Sequence, residues 1–103
     1  NPENMSWGER QAYNKQVINK LELNDNRIDT ILKKLGSPDI TEATKLNNDN
    51  YQVMFYRTQH VKSDGLTSKD ECTALLFKNS ELIAIGETAI DRFQNFVKQL
   101  PAS

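Results

Sequence analysis

Two apolar segments separated by two residues constrain the fold more than any other feature of this sequence. They are CTALLFK, which begins at Cys72, and ELIAIGE, which begins at Glu81. Asn79 and Ser80 lie between them, and residues of this kind favour a tight turn between antiparallel strands. With the turn at these two residues, Lys78 lies opposite Glu81, which places opposite charges across the strands.

The same register predicts that both faces of this hairpin are apolar. The cross-strand pairs that it predicts are Phe77 with Leu82, Leu76 with Ile83, Leu75 with Ala84, and Ala74 with Ile85. A sheet with one face in water alternates apolar and polar residues instead. Each face of the hairpin must therefore be covered, either by another part of this chain or by a second protein chain.

A first helix is predicted over about residues 8–20. Ser6 and Glu9 have the spacing of a capping box, in which each side chain bonds to the backbone amide of the other residue. The apolar residues behind the box recur at helical spacing. They are Tyr13, Val17, Ile18 and Leu21.

A second helix is predicted over about residues 25–35. Asn24 or Asp25 can cap its start, and Gly36 followed by Pro38 ends it. Four apolar residues fall on one face of this helix: Ile28, Ile31, Leu32 and Leu35.

The middle of the chain predicts one strand with turns on either side. YQVMFYRTQ, residues 51–59, is aromatic and β-branched, with alternate residues on opposite faces. The preceding segment, residues 39–50, is rich in turn-forming residues and allows a short edge strand at about 40–44. Residues 60–69 are predicted to form a loop around a turn at Asp64 and Gly65.

A third helix is predicted over about residues 89–99, with Thr88 as its cap and Pro101 beyond its end. Its apolar stripe consists of Ile90, Phe93, Val97 and Leu100, with Phe96 beside them. This helix can cover the face of the hairpin that the first two helices leave bare. The chain is then one domain over residues 8–100, preceded by a flexible lead-in at residues 1–7.

Charge and composition exclude several classes of function. The 13 basic and 14 acidic residues nearly cancel, and no basic stripe points to nucleic acid or to an anionic membrane surface. No apolar run is long enough to cross a bilayer. The single cysteine cannot form an internal disulfide, and a cysteine zinc site is excluded.

Three segments of the sequence resemble a known family. INKLELNDNRIDTILKKLGSPD, YQVMFYR and ECTALLFKNSELIAIG are similar to the helices and strands of the SmpA/OmlA (BamE-like) envelope lipoproteins. DGLTSKDECTALLFK and the Leu-Gly-Ser-Pro-Asp corner resemble more closely a small family of proteobacterial envelope proteins of unknown function. The resemblance covers about residues 14–88. Asn24 stands where the wider family often has glycine, and the C-terminal helix is an addition.

The resemblance implies an α+β fold, with two N-terminal helices packed on a three-stranded antiparallel meander and a C-terminal helix added. It also implies a periplasmic lipoprotein domain, anchored to the outer membrane through a lipidated N-terminus outside this sequence. Members of that superfamily act by binding proteins, so the expected partner is an envelope protein or a second copy of the chain.

No constellation of residues indicates an enzyme. Cys72 lies beside Asp70 and Glu71, which would raise rather than lower the pKa of its thiol, so it is interpreted as a small apolar residue in a strand. His60 is interpreted as a loop residue. The spacing of Asp64, Asp70 and Glu71 fits no calcium loop. The sequence predicts no cofactor, no metal site and no catalytic residue.

The aromatic residues offer a better indication of function. Trp7, Tyr13, Tyr51 and Tyr56, together with Cys72, are a candidate interaction surface, because tyrosine and tryptophan are enriched in binding hot spots. The alternative is that these rings pack in the sheet or under the first helix. The predicted function is a non-enzymatic binding or self-associating module. A ligand or lipid-headgroup binder, with a pocket lined by Met54, Tyr56 and the third helix, is the second hypothesis, and a thiol enzyme is the third.

Overall fold

The computed structural model describes residues 5–62 and 65–101, and in these residues it has three helices and four strands. Their order and bounds are α1 Trp7–Ile18, α2 Ile28–Leu35, β1 Ile40–Leu46, β2 Asp49–Arg57, β3 Cys72–Lys78, β4 Glu81–Ile85 and α3 Glu87–Lys98. A short 3₁₀ turn, Lys69–Glu71, precedes β3. The predicted α+β class is confirmed, but the sheet has four strands where three were predicted.

The four strands form an antiparallel meander in the order β1-β2-β3-β4. Two-residue turns join β1 to β2 and β3 to β4, and all four turn residues have positive φ. Two positive φ values in succession are the geometry that suits the twist of a hairpin, and asparagine adopts it more readily than most residues. The edge strand that the sequence only allowed is therefore a full strand, β1, closed by Asn47 and Asn48.

The predicted register of the β3–β4 hairpin is correct near its turn and wrong beyond it. Lys78 pairs with Glu81 and Phe77 with Leu82, as predicted. The register then shifts between Leu76 and Phe77. An extra residue on one strand leaves a bulge, which moves all later pairs by one position. The observed pairs beyond it are Leu76 with Ala84 and Leu75 with Ile85.

Helices cover both faces of the sheet, as the apolar hairpin requires. On one face, α1 and α2 pack over a cluster that consists of Ile18, Ile31, Leu35, Met54, Tyr56, Leu75, Phe77 and Leu82. On the other, α3 packs over Tyr51, Val53, Phe55, Ala74, Leu76, Ala84, Ala89 and Phe93. The chain thus covers the second face with its own C-terminal helix.

The start of α2 differs from the prediction. The helix begins at Ile28 after Arg27, and neither Asn24 nor Asp25 caps it. The reason is that this segment runs along the free side of β4. Asn24 N donates to Leu82 O at 2.7 Å, and Leu82 N donates to Asn26 O at 2.9 Å. Its backbone groups are therefore used in strand-like bonds rather than in a helix cap.

One end of each helix follows from local chemistry. The capping box of Ser6 and Glu9 is present as predicted, and Gly36 has the positive φ that ends α2. The N-cap of α3 is Gly86, with φ 76°, and not Thr88, which lies in the first turn.

Val97 and Leu100 of the predicted apolar stripe are exposed, at 43 % and 38 %. No helix in the described part of the chain has the length and apolar character needed to cross a membrane.

Candidate interaction surface

Two of the five residues predicted to form a surface lie in the core, on opposite faces of the sheet. Tyr51 stacks on Phe96 of α3, with ring centroids 4.0 Å apart. Tyr56 is fully buried under α1 and α2, and its hydroxyl donates to Gly36 O at 2.8 Å. Burial raises the pKa of Tyr56 well above its ordinary value. For these two rings, packing in the sheet is the correct interpretation.

Tyr13 and Trp7 lie on α1. The Tyr13 hydroxyl donates to Lys34 O at 2.7 Å, which ties α1 to α2. Trp7 is 48 % exposed, and its ring lies 4.4 Å from the guanidinium carbon of Arg57. Such a cation–π contact stabilises a buried arginine. Tyr13 packs against the cluster that contains Tyr56, on one face of the sheet. Tyr51 and Cys72 belong to the cluster on the other face, so the structure divides the predicted set between the two faces.

Cys72 is partly buried at the start of β3, on the face covered by α3. Burial raises the pKa of its thiol to about 12, and the carboxylate of Asp39 acts in the same direction. The thiol is therefore protonated at neutral pH, whereas a nucleophilic cysteine needs a lowered pKa. This environment is that of a packed strand residue.

The structure contains a buried ionic network that the sequence did not indicate. Arg57, at the end of β2, and Glu71, before β3, are 2 % and 1 % exposed, and Arg57 Nη2 lies 3.3 Å from Glu71 Oε2. Glu71 also accepts hydrogen bonds from the backbone amides of Val61, Lys62 and Ser68. The only local signal is the capping-box spacing of Ser68 and Glu71, which is observed.

The network holds the described parts of the connection between β2 and β3 rather than forming a ligand site. Arg57 donates through Nε to Gln11 at 2.7 Å and through Nη1 to Thr67 at 3.0 Å, and Nη2 lies 3.2 Å from His60 Nδ1. Together with Glu71, these partners occupy the N–H donors of the Arg57 guanidinium, so no donor is left for a substrate. His60 thus contacts this network, and the predicted turn at Asp64 lies outside the described residues. Within the described ranges, no group of three or more acidic, histidine or cysteine side chains could hold a metal ion.

The pocket required by the ligand-binding hypothesis is not found where it was expected. Met54 and Tyr56 are 1 % and 0 % exposed and pack under α1 and α2, on the face opposite α3. A cleft of about 500 Å³ does lie between α1 and α2, and it is lined by Tyr13, Val17 and Leu21 together with charged residues. The charged residues that line this cleft are all exposed, so they do not form a set of buried polar groups.

The outer edge of β1 is the part of the sheet whose backbone amides and carbonyls lack hydrogen-bond partners among the described residues. Because the turn at 47–48 has two residues, the flanking Leu46 and Asp49 face each other as a hydrogen-bonded pair. The next residue, Asn50, points the other way, since its carbonyl accepts from Asn79 N at 2.7 Å on the β3 side. The even-numbered residues of β1 therefore bond to β2, and the odd-numbered ones point away from the sheet.

Three residues of β1 direct their amides and carbonyls outward: Thr41, Ala43 and Lys45. All three are also exposed. Apart from the bonds that pair β1 with β2, no backbone hydrogen bond between described residues involves residues 40–46. The opposite edge of the sheet is different, because residues 24–28 pair with the start of β4 through Leu82, Ser80 and an Arg27–Glu81 bridge. The β4 edge is therefore paired over its first half, whereas the β1 edge is open along its length.

Grooves flank the open edge on both faces of the sheet. On the α3 side a groove of about 260 Å³ is lined by Glu42, Phe93, Gln94, Val97 and Lys98, and the exposed Val97 makes part of it apolar. On the α2 side a groove of about 310 Å³ includes Ala43, Lys45, Gln52 and Phe77. We call β1 with these two grooves the β1 surface. An added strand would find backbone partners at the edge and side-chain space above and below it.

Comparison with family models gives one finding. A model described as "Protein of unknown function (DUF3192)" matches residues 1–92, which is most of the chain. Comparison with curated proteins and with solved structures finds no match.

Proposed function

We propose that this chain, which belongs to the DUF3192 family of proteins of unknown function, is a non-enzymatic binding module that engages another protein strand at the β1 surface. The observation that carries the proposal is the asymmetry of the sheet edges. The 24–28 segment pairs with the first half of β4, while β1 presents a seven-residue edge with no partner among the described residues.

The physical basis is that an unpaired strand edge is a template for another strand. Three outward amides and three outward carbonyls give an incoming strand up to six backbone hydrogen bonds. Proteins usually protect such edges by shortening, bulging or covering them. β1 carries Lys45, which limits indiscriminate pairing, but it has no proline and no bulge in its register with β2. Specificity would come from side chains that enter the two flanking grooves.

The cell envelope is the proposed location. It rests on the resemblance of the helices and strands to the SmpA/OmlA lipoproteins, and the family model supplies no link to that superfamily. The proposal that the domain is periplasmic, and anchored to the outer membrane by a lipidated N-terminus, is tested on the full precursor. Incorporation of labelled palmitate, and fractionation with the outer membrane, would support it. Recovery of an unlabelled protein in the cytosol would contradict it.

Site-specific photocrosslinking tests the binding function. A photoreactive residue is placed at Lys45 or Val97, on the two sides of the β1 surface, and at Lys33, an exposed residue of α2. In the native host, we expect discrete adducts from positions 45 and 97 and none from 33. The change Ala43→Pro, which removes one outward amide without removing a bond to β2, should abolish both adducts. Equal adducts at all three positions, or none at any, would contradict the proposal.

A further inference from the structure

We propose that the partner of the β1 surface is a second copy of the chain, paired antiparallel through β1 about a two-fold axis at Ala43. This inference rests on the proposed function and specifies the partner that it leaves open. It follows from the length of β1, the position of its charges and the partial pairing of the opposite edge of the sheet.

The length of the strand selects the register. β1 runs from Ile40 to Leu46, so only an axis through the central residue, Ala43, pairs all seven residues with their copies. Ala43 then faces Ala43 of the second copy, and Thr41 faces Lys45, with all their outward backbone groups bonded. On the α3 side of the sheet, Ile40 faces Leu46, so the partly buried apolar residues at the two ends of β1 meet each other.

The charges of β1 agree with this register. An axis at Glu42 would place two glutamates opposite each other, and an axis at Lys45 would place two lysines opposite each other. With the axis at Ala43, Glu42 faces Thr44 and Lys45 faces Thr41, so no like charges are directly opposed. Glu42 is also paired with Lys69 of its own chain, which offsets its charge. An axis at Thr44 avoids like charges as well, but leaves Ile40 and Thr41 without strand partners.

The partly paired β4 edge explains why such an assembly would stop at two. A symmetric pair joins two four-stranded sheets into one of eight strands, with β1 from each copy at the centre. Both outer edges are then β4, whose first half is paired with residues 24–28 and whose Ile83 carbonyl accepts from Arg92, so neither outer edge offers a full strand for pairing. An isologous contact that uses up the one open edge of the described chain closes the assembly, whereas a head-to-tail contact would leave edges free to grow into fibres. A single strand pairing is a small interface, so the dimer should dissociate on dilution.

Disulfide trapping reports this register directly. In a Cys72→Ser background, Ala43→Cys places two thiols across the proposed axis. The Cα atoms of a hydrogen-bonded pair are about 5.5 Å apart, within the roughly 4.4–6.8 Å that a disulfide spans. Under mild oxidation, we expect Ala43→Cys to form covalent dimers at least about tenfold faster than Lys33→Cys, an exposed control on α2, because pairing raises the local thiol concentration.

Two further variants separate this register from others. Thr41→Cys and Lys45→Cys should each cross-link poorly alone and efficiently when mixed, because each faces the other across the axis. Ala43→Pro should be monomeric by light scattering at concentrations where the parent chain and Ala43→Ser are dimers. Circular dichroism checks whether Ala43→Pro is folded. If it is unfolded, the cysteine variants provide the test. Equal trapping at positions 41, 43, 45 and 33 would overturn the proposal.

The outcomes also separate this inference from the proposed function. If the chain stays monomeric, traps no dimer and gives photoadducts of a different protein from positions 45 and 97, the second copy is wrong and the binding function stands. If the photoadducts have the mass of two chains, both stand. If neither trapping nor photocrosslinking gives a product, both fail.

Discussion

Arg57 and Glu71 are separated by 14 residues in sequence and form an ion pair that is almost completely buried, with Nη2 and Oε2 3.3 Å apart. The pair joins the end of β2 to the start of β3 and closes the longest connection between strands of the sheet. Glu71 holds this connection through the amides of Val61, Lys62 and Ser68, while Gln11 and Trp7 bring α1 to the same arginine. The network therefore positions the two flanks of this connection and the first helix.

Arg57→Met should destabilise the fold by about 3 kcal/mol, because it leaves the buried Glu71 without its ionic partner and Gln11 and Thr67 without a donor. Urea unfolding measures the change. Arg27→Met is the matched control. Arg27 lies 3.8 Å from each of two carboxylates, and its side chain is 59 % exposed, so its loss should cost less than about 1 kcal/mol. Equal losses in the two variants would contradict a structural role for the buried pair.

Glu71 should make stability depend on pH in the acid range. Backbone hydrogen bonds from Val61 and Ser68 lower the pKa of Glu71 from 4.5 to about 2. A carboxyl group with a lowered pKa in the folded state stabilises the fold above its unfolded pKa, and this stabilisation is lost as the pH falls through the folded pKa. The free energy of unfolding should therefore decrease as the pH falls from 4.5 toward about 2.

The measurement is urea unfolding across that pH range. Glu71→Gln should be less stable than the parent chain near neutral pH and should have a flatter pH profile below 4.5, because the titrating group is gone. Glu87→Gln, which alters an exposed carboxylate, is the matched substitution, and its profile should stay steeper than that of Glu71→Gln, because it keeps the buried Glu71 carboxyl group. A Glu71→Gln profile as steep as that of the parent chain would assign the acid sensitivity to other groups.

Local patterns predicted the elements of this fold, because each depends on neighbours within a few residues. The capping box at Ser6 and the turn at Asn79 and Ser80 are both of this kind, and both are confirmed. The start of α2 is not local. Asn24 and Asn26 bond to Leu82, more than fifty residues away, and a helix-capping rule has no information about that strand.

The same distinction between local patterns and long-range contacts applies to the ionic network and to the predicted interaction surface. Gln11 and Asn14 read as polar positions on a helix, but Asn14 is fully buried and donates to Arg57 O at 2.9 Å across 43 residues. Tyr51 and Tyr56 read as spare aromatics, because the pattern could not show that α3 and the pair of N-terminal helices bury one each. The open edge of β1 follows from the order of the strands in the sheet. The sequence only allowed a short edge strand at about 40–44, so this order could not be predicted from it.

Gly86→Ala should destabilise the chain by about 1–2 kcal/mol, because Gly86 has φ 76° and ψ −143°, a conformation that residues with a Cβ atom adopt at a cost. An added Cβ atom meets no atom within 4 Å, so the loss would come from the backbone alone. Gly8→Ala is the control, since Gly8 lies within α1 with equally open surroundings. It should stabilise the chain by up to about 1 kcal/mol. Thermal unfolding measures both, and changes of the same sign would contradict the backbone explanation.

Phe93→Ala should destabilise the chain by about 3–5 kcal/mol, because Phe93 is the larger of the two α3 side chains that are buried against the sheet. Phe93 is 6 % exposed and packs in the cluster with Tyr51 and Val53. Val97→Ala, one turn later on the same helix, removes an apolar side chain that is 43 % exposed, and should change stability by less than about 1 kcal/mol. Urea unfolding of the two variants tests whether α3 covers the sheet in solution. If Phe93→Ala were as stable as Val97→Ala, α3 would not be packed on the sheet, and the apolar face of β3 and β4 would need a cover from outside the chain.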